Sequence, residues 1–202
     1  RVVFASSCAV YGDLPQLPKK ENMETRPLSP YAASKLHGET YALLYRDLYG
    51  LETVCLRYFN VYGPKQDPTS PYSGVISIFM DRAVRGELPT IFGDGEQFRD
   101  FVYVADVVQA NLLAANRDNI AGAVINLGTG SSVTVNSLWD NISQFAGVGG
   151  EPERVEERPG DIRESVADIS RARELLAYEP LYSFEEGLKL TWEWYSSRST
   201  RN

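Results

Sequence analysis

The 202-residue chain has two cysteines, one histidine and no long apolar run, and each shortage argues against a class of protein. Cys8 and Cys55 lie in apolar segments that are predicted to be buried strands, which indicates reduced core thiols and not a disulfide framework. Without a Cys/His cluster, no metal site is predicted. No segment reaches the roughly 20 apolar residues that a membrane-spanning helix needs. We therefore expect a cytoplasmic protein.

Positive charge is also in short supply. The 20 Lys and Arg residues against 27 Asp and Glu residues leave a net charge of −7. A surface of this sign argues against nucleic acid or an anionic membrane as a partner, although a few local arginines can still bind an anionic small molecule. With 43% hydrophobic residues, the length suits one domain, or one domain and a small lobe, around an ordinary core.

Segments with strand and helix patterns alternate along the chain, which predicts an α/β fold with a parallel sheet. β-Branched apolar runs predict strands at 2–6, 53–58 and 123–127. Apolar spacing and capping residues predict helices at 31–49, 75–85, 106–116, 134–145 and 170–176, and one more after the capping-box pattern at 183–186. Ligands bind at the carboxyl edge of such a sheet, so residues that follow strands are candidates for a site.

Tyr31 and Lys35 are the most informative pair in the chain. Four residues apart, they lie on one face of a helix, and an ammonium close to a phenol favours the phenolate, so Tyr31 is a candidate general base. Just upstream, the first predicted strand ends in Ser6 and Ser7, within the pattern Ser-Ser-x-x-Val-Tyr-Gly. The alternative is a strand-end turn followed by a well-capped surface helix. The two patterns together favour catalysis.

These residues resemble the extended short-chain dehydrogenase/reductases of the NAD-dependent epimerase/dehydratase family, and most closely its UDP-glucose and UDP-N-acetylglucosamine 4-epimerases. The resemblance covers essentially the whole chain, because further motifs follow in order at 57–64, 93–95, 99–101, 126–128 and 158–161. It implies NAD as cofactor and a UDP-sugar as substrate.

The resemblance also implies the fold and the extent of the chain. We expect the C-terminal part of a Rossmann-like, doubly wound parallel sheet with a smaller C-terminal substrate-binding lobe. The family opens with a strand and a glycine-rich turn that holds the NAD pyrophosphate. Gly128-Thr129-Gly130 lies too late and lacks a third glycine, so the chain resembles the C-terminal two-thirds of an enzyme. Residues 1–150 are predicted to be mainly NAD-binding domain, with substrate-lobe segments near 75–100, and residues 151–202 the lobe and last helix.

Residue roles follow from the resemblance, position by position. The catalytic residues it implies are Ser7, Tyr31 and Lys35. The cofactor-binding residues are Ser6, Tyr31, Lys35 and Tyr58. The substrate-binding residues are Ser7, Asn60, Val75, Ile76, Phe92, Arg99, Arg158, Asp161 and Ser165. Taken alone, Arg99-Asp100 and Arg158 with Asp161 are better explained as surface ion pairs, but their order and spacing favour a nucleotide clamp, with the two arginines at the diphosphate and Asp161 at the ribose. The alternative for Asn60 is a loop cap.

Two further positions narrow the reaction and the substrate that the resemblance implies. Cys8 and Ala9 stand where related sugar dehydratases and decarboxylases carry acids, so proton chemistry is limited to one oxygen, which favours epimerisation at C4 through a 4-keto sugar. Ser165 is four residues after Asp161, where a small residue admits an N-acetyl group. We therefore expect UDP-glucose, UDP-galactose and their N-acetylated counterparts as substrates.

Other readings stay open. One is an epimerase of UDP-glucuronate or another nucleotide sugar. Another is a non-catalytic fragment that binds a nucleotide sugar or a partner chain. The helix at 31–49 is apolar on more than one face, which predicts a homodimer through it. These residues alone are expected to be inactive without the N-terminal third.

Overall fold

A computed structural model describes residues 1–70, 73–157 and 162–199. The helices are α1 (Pro30–Tyr49), α2 (Val75–Val84), α3 (Val104–Asn116), α4 (Val135–Ala146), α5 (Ser170–Leu176) and α6 (Phe184–Ser199), with a 3₁₀ turn at Cys8–Tyr11. The strands are β1 (Val2–Ser7), β2 (Thr53–Tyr58), β3 (Asn60–Tyr62), β4 (Thr90–Phe92), β5 (Phe98–Arg99), β6 (Phe101–Tyr103), β7 (Ala123–Leu127), β8 (Val133–Thr134), β9 (Glu153–Val155) and β10 (Glu164–Ser165).

Local sequence signals set the ends of the helix that matters most for the site. At the start of α1 the Ser29 hydroxyl accepts a 3.1 Å hydrogen bond from the amide of Ala32, and Pro30 occupies the first helical position. The helix ends at Gly50, whose φ of 68° is the left-handed conformation that glycine adopts without strain. Tyr31 and Lys35 therefore lie in the first turns of a helix with a well-defined beginning.

The main sheet runs in the order β1-β2-β7, and all three strands are parallel. Ser7 is in register with Tyr58, which is in register with Leu127, so the carboxyl ends of the strands meet at one edge. Side chains of neighbouring residues in β2 point to opposite faces. Arg57 bonds to Glu39 of α1 and Tyr58 to Asn111 of α3, which places α1 and α3 on opposite faces of the sheet. The predicted parallel α/β fold is confirmed.

Two apolar cores pack around this framework. The first joins the sheet to α3 and α5, while the second joins α2, α4 and α6. In the second core the rings of Phe79 and Trp139 meet edge to face, with centroids 5.8 Å apart. The two cores interleave along the chain, since α4 packs with α2 and α6, and α5 packs against β7. The proposed division at residue 150 stays a prediction.

Several short strand pairs lie outside the main sheet and were not evident in the sequence. β3 pairs with β6, β4 with β9, and β5 lies between β10 and β8. Each has only two or three residues, which is too short for a recognisable apolar alternation. In the part of the chain that the structure describes, no helix is long and apolar enough to cross a membrane.

Candidate active site

Ser7 lies at the carboxyl end of β1, where the chain turns into the 3₁₀ segment. Its Oγ accepts a 3.2 Å hydrogen bond from the amide of Ala9 and so caps that turn. The side chain is nearly buried, at 8% exposure, and its strand neighbour is Tyr58. Because Oγ is used as an acceptor, the hydroxyl proton stays available for a ligand oxygen.

Lys35 and Tyr31 lie beside this strand end. Lys35 Nζ donates a 2.9 Å hydrogen bond to the carbonyl of Ala5 and lies 5.6 Å from the centroid of the Tyr31 ring. An ammonium has three donors, so two remain for a ligand. Tyr31 is about half exposed. The structure thus brings the three predicted catalytic residues to the carboxyl edge of β1 and the neighbouring start of α1.

A cavity of about 430 Å³ is lined by Asn60, two residues beyond Tyr58, the strand neighbour of Ser7; Ser7, Tyr31 and Lys35 do not line it themselves. It collects four of the residues predicted to bind substrate: Asn60, Val75, Phe92 and Arg99. The contact predicted for Ile76 is through its backbone, and its side chain, buried in the second core, does not line this cavity. The cavity also contains residues that the sequence did not suggest: Ser73, Ile78, Phe79, Arg82, Thr90, Ile91, Gln97 and Val135. Arg99 and Arg82 make it a pocket with two cationic side chains. The predicted Arg158 and Asp161 lie outside the described residues.

Ser165 lies between Arg99 of the cavity wall and the carboxyl end of β1. It pairs with Arg99 in the parallel β5–β10 ladder, and its side chain is 7% exposed. Its hydroxyl also lies close to the thiol of Cys8, the residue after Ser7. Burial raises the pKa of Cys8 to about 11, so the thiol stays protonated near neutral pH. Ser165 therefore lies beside Cys8, the residue that follows the predicted catalytic Ser7, and also beside Arg99, the arginine predicted to bind the diphosphate.

Asp100 is a structural residue that the sequence did not identify. Its carboxylate is fully buried and accepts hydrogen bonds from the amide and hydroxyl of Thr129, the amide of Gly130 and the amide of Ala167, all at 2.8–3.1 Å. Burial raises the pKa of Asp100, and these hydrogen bonds oppose the rise. Asp100 is therefore no member of a surface ion pair. Asp100 also occupies amides of the Gly128–Gly130 turn, so these amides are not available to bind a phosphate.

A second buried polar cluster lies under α1. Glu39 and Arg57 form an ion pair at 2.8 Å, and Arg57 also donates to the Tyr11 hydroxyl at 2.9 Å. Tyr11 in turn donates to the side chain of Asn126 in β7 at 2.7 Å. No role had been predicted for these residues, although the 31, 35, 39 spacing was a visible signal, since it places Glu39 on the face of Tyr31 and Lys35.

A parallel α/β sheet with serine, tyrosine and lysine at its carboxyl edge has the architecture of the short-chain dehydrogenase/reductases. The chain belongs to the NAD dependent epimerase/dehydratase family, whose sequence model matches residues 1–128. The predicted family is confirmed, and the family description names the predicted cofactor, NAD.

Three of the proteins that the chain resembles are nucleotide-sugar epimerases. The UDP-glucose 4-epimerase of Mycolicibacterium smegmatis is 40% identical over 98% of this chain and 63% of its own length. The UDP-N-acetylglucosamine 4-epimerase of Methanobrevibacter ruminantium, solved with UDP-N-acetylmuramic acid, is 45% identical with a TM-score of 0.92 over 97% of this chain and 63% of its own. The UDP-glucose 4-epimerase of Thermotoga maritima, solved with UDP-glucose, is 44% identical with a TM-score of 0.92 over 99% and 64%. The chain thus spans less than two thirds of the length of these relatives.

Proposed function

We propose that the native protein containing these residues is an NAD-dependent epimerase that inverts C4 of a UDP-hexose through a 4-keto sugar. The observation that carries this proposal is the convergence of Ser7, Tyr31 and Lys35 on one sheet edge beside the cavity that holds Asn60 and Arg99. This arrangement offers a proton-transfer group next to a pocket with the size and charge for a nucleotide sugar.

In this proposal Tyr31 removes the proton of the sugar 4-hydroxyl and returns it after the 4-keto sugar has turned over. Ser7 donates its free hydroxyl proton to the same oxygen and holds it at the phenol of Tyr31. The Lys35 ammonium keeps the negative form of that phenol favourable. Neither Cys8 nor Ala9 can protonate a leaving group, so the chemistry ends at C4 and no elimination follows.

The described residues fit the nicotinamide-ribose end of NAD. Lys35 has two unused donors for ribose hydroxyls next to the half-exposed Tyr31, and Tyr58 lies on the adjoining strand end. The hydroxyl of Ser6 is buried and donates to Glu39, so it is not assigned to NAD in this proposal. When bound there, NAD supplies the acceptor and donor of the hydride at C4. The substrate's nucleotide part occupies the cavity, with Phe92 and Val75 against the uracil and Arg99 at the diphosphate.

The substrate class in this proposal is set near Ser165. A small side chain there leaves room for an N-acetyl group, so UDP-GlcNAc and UDP-GalNAc are accepted together with UDP-glucose and UDP-galactose. The alternative substrate is UDP-glucuronate, whose carboxylate would need a cation close to the sugar C6.

The exposed face of α1 supports a homodimer. Tyr41, Tyr45, Leu48 and Tyr49 are all more than half exposed on it, and such a contiguous apolar surface is unusual for a monomer. The reduced state of Cys8 and Cys55 is consistent with a cytoplasmic location.

The test is an epimerisation assay of the native protein with NAD and, separately, UDP-glucose, UDP-GlcNAc, their galacto epimers and UDP-glucuronate. We expect interconversion of the gluco and galacto forms of the first two pairs. Formation of a 4-keto-6-deoxy sugar or of carbon dioxide would show that the reaction class is wrong. Binding of UDP-sugar without turnover, and without NAD released on denaturation, would favour the non-catalytic alternative.

A further inference from the structure

The buried ion pair under α1 lies directly behind the two residues of α1 that carry the proposed chemistry. Glu39 follows Lys35 by one helical turn, as Lys35 follows Tyr31. Glu39 is 3% exposed and Arg57 is 5% exposed. The guanidinium holds the carboxylate at both oxygens, with hydrogen bonds of 2.9 Å from Nε and 2.8 Å from Nη2. A bidentate pair fixes orientation as well as distance.

The same helix face is attached to β1 at consecutive residues. The carbonyl of Ala5 accepts from Lys35 at 2.9 Å, and the hydroxyl of Ser6 donates to the carboxylate of Glu39. The next residue along this extended strand is Ser7. The position of α1 along β1 is therefore fixed at two points within two residues of the predicted catalytic serine.

The network continues across the sheet. Arg57 in β2 donates to the hydroxyl of Tyr11, which donates to Asn126 in β7. Burial raises the pKa of Tyr11 to about 12, so its phenol keeps the proton that it donates. The backbone N–H of Asn126 donates to the carboxylate of Glu21 at 2.8 Å. One chain of polar contacts thus ties α1 to all three strands of the main sheet.

Stability alone does not account well for such a pair. Removing two charges from water costs about as much as their attraction returns, and well-packed apolar replacements are often equally stable. What an ion pair adds is a defined geometry. Defined geometry matters here, because displacement of a reacting group by about 1 Å can cost roughly 100-fold in rate.

We propose that the Glu39–Arg57 pair, with Ser6, is a positioning device that holds α1 in register with β1, so that Tyr31 and Lys35 face the substrate beside Ser7. This inference rests on the proposed epimerase function. Glu39 and Arg57 are positioning residues and touch neither substrate nor cofactor in this scheme.

The test uses the native protein with three simultaneous changes, Ser6→Ala, Glu39→Met and Arg57→Met. No unpaired buried charge remains in this variant, so we expect it to fold with a melting temperature close to that of the wild type. We expect kcat per folded molecule to fall by about tenfold or more while KM changes little. The single variant Arg57→Lys, which keeps the positive charge beside Glu39, should lose less kcat than the triple variant.

A second comparison separates positioning from general damage. In a Tyr31→Phe background the triple change should add little further loss, because the device acts through Tyr31. A stable triple variant with wild-type kcat would overturn the proposal, as would a full, additive loss in the Tyr31→Phe background. If the triple variant does not fold, the single variant Ser6→Ala replaces it. Its kcat is then measured in the wild-type background and in the Tyr31→Phe background.

A crystal structure of the triple variant, or of Ser6→Ala, gives a readout that does not depend on turnover. We expect the contact between Lys35 Nζ and the Ala5 carbonyl to be lost and the start of α1 to shift. A start of α1 that stays within about 0.5 Å of its wild-type position would overturn the proposal. Absence of turnover in the wild type would instead overturn the proposed function, and the crystal structures would still decide the positioning role.

Discussion

Gly38 of α1 lies against the ring of Phe4 in β1 with no room for a side chain between them. A Cβ at position 38 would be 2.1 Å from the ring atom Cζ and 2.8 Å from the two neighbouring ring carbons. The same ring lies 5.6 Å from Lys35 Nζ. The close approach of α1 to β1, and with it the place of the Lys35 ammonium, therefore depends on a glycine in the middle of a helix.

We expect Gly38→Ala to lower both stability and turnover. Alanine normally stabilises a helix interior by about 0.5–1 kcal/mol relative to glycine, so any loss in the melting temperature reports the clash with Phe4. Because the ring that has to move also lies beside the Lys35 ammonium, kcat should fall by about tenfold. The control is Thr40→Ala on the exposed side of the same helix. A Gly38→Ala protein that is more stable and fully active would contradict the packing described here.

The main sheet and its helices could be predicted from sequence because each carries its own signal. Thr53–Tyr58 and Ala123–Leu127 are strands rich in apolar residues and have the predicted bounds, and α1 has a serine cap, a proline and a final glycine. The buried polar contacts could not be predicted. The carboxylates of Glu39 and Asp100 can be buried only because hydrogen-bond donors reach them from residues 18 to 67 positions away in sequence. Local periodicity carries no information about such donors.

Tyr31→Phe should reduce kcat by about 100-fold or more, because it removes the proposed acid/base hydroxyl and leaves the ring in place. The melting temperature should not change, since the Tyr31 side chain is about half exposed. Steady-state kinetics with UDP-glucose measure the effect. Tyr49→Phe, at the exposed end of the same helix, is the matched control and should retain full activity. Retention of more than a tenth of the activity in Tyr31→Phe would mean that another group moves the proton.

The exposed face of α1 is proposed to bury itself against a second copy of the chain. Leu48 is 69% exposed on this face, and a charge there would have to be desolvated in a dimer. We expect Leu48→Glu to shift the native protein from dimer to monomer in sedimentation equilibrium. Leu181→Glu changes an equally exposed leucine, at 66%, on another element and should leave the dimer intact. A wild-type protein that sediments as a monomer would rule out this interface.

Asp100→Asn should destabilise the protein by about 3 kcal/mol. The carboxylate accepts from Thr129, Gly130 and Ala167, and an amide NH₂ in place of one oxygen would face a backbone N–H instead of accepting from it. Urea unfolding measures the change. The exposed Asp118→Asn is the control and should fall within about 0.5 kcal/mol of the wild type. Equal stability of the two variants would show that the turn at 128–130 does not depend on Asp100.

Ser165→Tyr tests the substrate class. Ser165 is nearly buried, lies close to Cys8 and pairs with Arg99, so a tyrosine there has to project towards the strand end that carries Ser7. It should take the space of the sugar 2-substituent and lower kcat/KM for UDP-GlcNAc by at least about 100-fold, whereas UDP-glucose should lose less than about tenfold.

The control for this prediction is Ser165→Ala, which removes the hydroxyl beside Cys8 and adds no bulk. We expect it to keep both activities, because the role assigned to the position is one of size. Competition assays with the two substrates in one mixture measure the ratio of their kcat/KM values directly. If Ser165→Tyr reduces both substrates equally, the residue supports the fold of β10 and does not select the sugar. If Ser165→Ala alone changes the ratio, hydrogen bonding and not volume sets the preference.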